Sequence, residues 1–86
     1  MTEAQHRQSI IDKLTYLWGN NAVVTVRDYV PTPGSRYNGT HLATVECPGI
    51  DESAWSQDGT TEIQALENLL QSAIKVAWEA WGKKLP

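Results

Sequence analysis

The hydrophobic positions change their period along the chain, and each change marks an element. Ile10, Ile11, Leu14, Leu17 and Trp18 recur at helical intervals and predict a helix from about Glu3 to Trp18 with one apolar stripe. Thr2 can cap its start, with Gln5 as the reciprocal member of a capping box, and Gly19-Asn20-Asn21 supplies the stop. The first two turns, through Ser9, lack strong apolar anchors and are expected to fray or project. Ala22 to Val30 reads as a strand, with Ala22, Val24 and Val26 on one face and Val23, Thr25, Arg27 and Tyr29 on the other. A second strand from about Thr40 to Cys47 puts Ala43, Val45 and Cys47 on one face and Leu42, Thr44 and Glu46 on the other.

Between these strands lies Pro31-Thr32-Pro33-Gly34-Ser35-Arg36-Tyr37-Asn38-Gly39, whose prolines and glycines forbid regular structure. It is long for a hairpin connection, and long loops carry function more often than short ones. Pro48-Gly49 predicts a turn, Ser53 to Ser56 a short third strand anchored by Trp55, and Gln57-Asp58-Gly59 a further turn. Thr61 then caps a long helix, with Gln64 at its third position and a stripe of Ile63, Leu66, Leu70, Ala73, Ile74, Ala77 and Trp81. Gly82 ends it, and Lys83 and Lys84 follow where cations favour a helix terminus. The expected fold class is α+β: one domain over residues 1–86 with a helix, a small antiparallel sheet of two or three strands, and a long C-terminal helix. Both helices should pack on one face of the sheet.

Length adds a consequence. A helix from Thr61 to Trp81 is about 30 Å long, whereas a seven-residue strand spans roughly 23 Å. The last turn or two should overhang the sheet, carrying Trp78 and Trp81 with it. These side chains either close the core over Leu14 and Trp18, or stay under-covered and meet the first helix, a second copy of the chain, or a partner.

Composition sharpens this picture in three places. With 41% hydrophobic and 20% charged residues, the chain is globular in character. No apolar run approaches the roughly 18 residues of a membrane span, no signal peptide is visible, and the single Cys47 suits a reducing compartment. A cytoplasmic location is therefore expected. Four tryptophans and three tyrosines without a phenylalanine favour half-wet positions and interfaces.

Charge is distributed unevenly within a net −3. Between Arg36 and Lys75 there is no lysine or arginine, while Glu46, Asp51, Glu52, Asp58, Glu62 and Glu67 all fall there. Read along the chain, this interval is a negative surface, either a solvated face or one that attracts basic partners and repels phosphate.

Catalytic and metal chemistry find no support in the spacing. His41 and Cys47 would lie about 20 Å apart on one strand, beyond the ~3 Å reach of a nucleophile and its base. One cysteine and two distant histidines give no zinc pattern, and the acids of the 51–58 segment lack a calcium-loop pattern. No phosphate loop is present. No cofactor or metal is expected, and the chain reads as a non-enzyme.

Two resemblances bear on function. Cys47-Pro48-Gly49-Ile50, followed by Gln57-Asp58-Gly59-Thr60-Thr61-Glu62-Ile63-Gln64-Ala65-Leu66-Glu67-Asn68-Leu69, resembles HicB-like antitoxin domains over roughly residues 41–77. The resemblance implies a protein that binds and blocks another protein. The helix-strands-helix order, with Gly39-Thr40-His41 as a loop motif, is also similar to double-stranded-RNA-binding domains. That family grips phosphates with lysines at the start of its second helix. Here the place holds Asp58, Thr60, Thr61, Glu62 and Gln64, which disfavours nucleic acid.

The expected function is a small regulatory or inhibitory module that binds a protein partner, with a basic partner as one option and a homodimer through the C-terminal helix as another. Analogy with small acidic proteins of this kind suggests a phage or mobile-element product. The candidate partner-binding residues are Arg36, Tyr37, Asp51, Glu52, Asp58, Glu62, Trp78 and Trp81. A nucleic-acid module using Arg27, Arg36, Tyr37 and His41 is the second reading, and a small enzyme the third.

Overall fold

The computed structural model describes residues 2–50 and 53–86. The candidate residues Asp51 and Glu52 lie outside the described residues. Its elements are α1 (Glu3–Trp18), β1 (Val23–Asp28), β2 (His41–Glu46), β3 (Trp55–Gly59) and α2 (Glu62–Trp81). The strands form an antiparallel meander in the order β1-β2-β3. Both helices contact the sheet, and the class is α+β.

The capping box of α1 forms as the sequence suggests: Gln5 N donates to Thr2 Oγ1, and Thr2 N donates to Gln5 Oε1. The first two turns do not project. His6 Nε2 meets Glu67 Oε1 at 2.7 Å, and Arg7 Nη2 meets Glu62 Oε1 at 2.7 Å, so polar contacts with α2 replace the missing apolar anchors. At the other end of α1, Trp18 stacks edge-on against Trp81, with ring centroids 5.0 Å apart. The two helices start together and finish together, so they run parallel.

Register explains the core. Val24 pairs with Val45, and Val26 with Ala43, so the apolar faces of β1 and β2 coincide and meet the helices. The core joins Ile10, Leu14, Leu17 and Trp18 of α1 to Ala43 and Val45 of β2 and to the inner face of α2. That inner face is wider than the predicted stripe. Ala65 and Leu69 are fully buried, Ile63 and Ile74 only partly, and Trp81 is exposed. A helix that packs on a sheet and on a second helix buries a broad arc rather than a single seam.

The third strand differs from expectation. It runs from Trp55 to Gly59, so Gln57, Asp58 and Gly59 are strand residues and not a turn. Two contacts account for the shift. Gly59 pairs with His41, and its missing Cβ leaves room for the backbone of Ala65, which a methyl group would strike. Farther along, Trp55 Nε1 and Gln57 Nε2 both donate to Ser72 Oγ of α2. The outer carbonyls of β3 are also occupied: Ser56 O accepts from Tyr37 Oη, and Asp58 O from Asn68 Nδ2 at 2.8 Å.

These contacts fix the placement of α2. Ala65 lies against the last residue of β3 and Ser72 against the first, so the helix runs antiparallel to β3 and has passed its far end by residue 73. The remaining nine residues extend roughly 13 Å further. Ala73 and Ala77 are still buried there, but Trp78, Glu79, Ala80 and Trp81 are all exposed.

Candidate functional site

The predicted site residues do not form one cluster. Asp58 and Glu62 lie where β1 ends and the helices begin, while Arg36 and Tyr37 line a cleft along β3 with Trp55, Ser56 and Gln57. Trp78 and Trp81 lie at the other end, with the last turn of α1 and the β2–β3 connection.

At the first end the β1–β2 connection is internally built. Asp58 accepts hydrogen bonds from the backbone N–H groups of Asn38 at 3.0 Å and Gly39 at 2.6 Å. Gly39 is itself buried against the backbone of Gly59, where a Cβ would clash. Ser35 Oγ bonds Tyr29 Oη and accepts from Tyr37 N, and the two tyrosine rings meet edge to face at 5.9 Å. Arg36 sits 5.5 Å above the Tyr37 ring, beside a small polar cleft of about 170 Å³ formed with Trp55, Ser56 and Gln57. Charge-assisted bonds from a carboxylate to backbone amides are among the stronger polar contacts a loop can have. Asp58 therefore holds the loop in shape.

The acidic interval also changes character in three dimensions. It has no cation in sequence, but α1 brings Arg7 to Glu62 and His6 to Glu67. With Asp58 turned onto backbone amides, three of its acids have partners, and Glu46 is the one exposed without an ion pair among the described residues. Among the described residues, α1 thus brings one permanent cation, Arg7, to an interval that has none in sequence.

The second end is apolar. Trp78 is 56% and Trp81 55% exposed, whereas their neighbour Trp18 is 9% exposed. Trp18 is fixed from both sides: its Nε1 donates to Ser53 O, and its own carbonyl accepts from Cys47 Sγ at 3.2 Å. Ser53 in turn ties the connection together through Cys47 N and Ile50 O. Onto this floor the chain after the overhang adds two cations: Lys84 Nζ lies 5.9 Å from the Trp78 ring and Lys83 Nζ 4.9 Å from the Tyr16 ring. Tyr16, Val23 and Ile50 are exposed at the same end, so among the described residues every exposed large apolar side chain except Val30 collects here.

Tyr16 escaped the sequence reading, and Lys83 and Lys84 entered it only as cations at the helix terminus. Tyr16 lies off the apolar stripe of α1, and its contact with Lys83 spans most of the chain. Only the length mismatch between helix and strand pointed to this end.

The residues considered for catalysis do not converge. His41 begins β2 with Nε2 3.7 Å from Asp28 Oδ1, and Cys47 follows the last residue of that strand. Among the described residues no group of three His, Cys, Asp or Glu side chains could hold a metal ion. No described helix is long and apolar enough to cross a membrane. Comparison with family models, curated proteins and solved structures finds no match to this chain.

Proposed function

We propose that the protein is a non-enzymatic regulatory or inhibitory module that docks on another protein through its aromatic end. The observation that carries this reading is the exposure of Trp78 and Trp81 on a helix that outruns its sheet. Tryptophan and tyrosine are enriched among the few residues that dominate binding energy, and a clustered patch of them at one end has the form of such an anchor. The hydrogen-bonded Trp18 beneath keeps the patch rigid, which limits the entropy lost on binding. The likeness of residues 41–77 to HicB-like antitoxin domains points to the same class of activity, and analogy with such proteins suggests a phage or mobile-element origin.

The test is capture from a lysate of the source organism with the native chain and with Trp78→Gln as baits. The expected result is a stoichiometric protein recovered by the native chain and lost with the variant. Recovery that ignores Trp78 overturns the reading.

A second reading, nucleic-acid binding, draws on the α-β-β-β-α order and on Arg36 held over Tyr37 near His41. Against it stands Glu62 at the start of α2, where a phosphate grip requires cations. A gel shift at low salt separates the two, because phosphate contacts are strongest there.

A further inference from the structure

We infer that the first occupant of the aromatic end is a second copy of this chain, packed across a two-fold axis with the overhanging turns of α2 antiparallel. The inference rests on reading that end as a docking surface and names the partner.

Self-complementarity is the ground for it. Lys75 and Glu79 are both exposed, one turn apart, flanking Trp78, and neither has an ion-pair partner among the described residues. A two-fold axis level with residue 77 brings Lys75 of one protomer opposite Glu79 of the partner subunit. The same pair forms again on the other side, because a two-fold interface repeats every contact. Trp78 lies next to that axis and meets its own copy, with Trp81 and Tyr16 at the flanks. This arrangement sets the acid of one chain against a base of the other at two symmetric contacts while joining the two exposed tryptophans.

The overhang also makes the approach possible. Ala73 and Ala77 hold the inner side of these turns in the core, while Lys75 and residues 78–82 are exposed, so a second helix can approach the outer side. Area sets the expected strength. A large aromatic buries about 150–250 Å², so three half-exposed rings supply roughly 300 Å² per protomer, against about 800 Å² for a standard stable interface. Lysine stems, Leu85 and the ends of the turns enlarge the contact, yet the dimer stays small. A micromolar, exchanging dimer is expected.

Sedimentation equilibrium of the full chain over about 5 to 500 µM reads this directly, since dimer population follows mass action. The expected result is a mass rising from 9.6 kDa toward twice that value. Lys75→Glu alone and Glu79→Lys alone each place like charges opposite one another at both contacts, and each should remain monomeric. Mixed in equal amounts, the two variants restore both pairs and should associate with each other at least tenfold more tightly than either does with itself. A misfolded variant cannot produce that rescue. A native chain that stays monomeric throughout the range overturns the dimer while leaving the docking surface to the capture experiment. A dimer that ignores both charge reversals overturns the proposed geometry.

Discussion

The β1–β2 connection and the overhanging end of α2 each hold residues that sequence alone offered as partner-binding, and the two are built in opposite ways. In the connection, polar groups are satisfied by one another: Asp58 holds the Asn38 and Gly39 amides, and Ser35 joins Tyr29 to Tyr37. At the overhang, the polar groups fix what lies beneath, through Trp18 and Ser53, and the large apolar side chains face outward. Folding has already used most of what the first region can bond. The second keeps apolar area in reserve, and that area can still be removed from water.

Changes at the loop end should therefore register as stability, and changes at the aromatic end as association. The largest effect is expected from Gly59→Val. Its side chain would meet the backbone of Ala65, which no rotamer can relieve, so a loss of about 3 kcal/mol or more in urea unfolding is expected. Asp58→Ala comes next. It leaves two backbone amides without their acceptor and should cost about 1–3 kcal/mol, with faster hydrogen exchange confined to Asn38, Gly39 and their neighbours. Exchange that quickens equally across the sheet would show that the loop is not a separate unit. The smallest change in stability should come from Trp78→Gln, within about 0.5 kcal/mol of the native chain, because the ring is more than half exposed. A loss comparable to that of Asp58→Ala would make Trp78 a core residue and erase the contrast between the ends.

Sequence reasoning located the elements whose signals are local. The bounds of α1 follow from Thr2, Gln5 and Gly19, and the shared face of β1 and β2 follows from alternating small and branched residues. It missed the position of β3 because Trp-Ser-Gln-Asp-Gly has no apolar alternation. Those residues form a strand through their pairing with β2 and through Ser72 and Asn68, all distant in sequence. The Arg7–Glu62 pair was hidden for the same reason, since Arg7 reaches Glu62 only after α1 and α2 have packed. The overhang was legible because it needed only two lengths, whereas the ordered loop was not, because Asp58 and Gly39 meet across 19 positions.

One edge of the sheet limits how the chain can misassemble. The outward carbonyls of β3 at Ser56 and Asp58 are already covered by Tyr37 and Asn68. Pairing with β2 uses the peptide groups of Thr25 and Arg27, which turns those of Val24 and Val26 outward on β1, where no described side chain caps them. A ribbon that can be lengthened on one flank only stops after a single addition. Edge-to-edge association of the folded chain through β1 is therefore expected to stop at a pair of sheets.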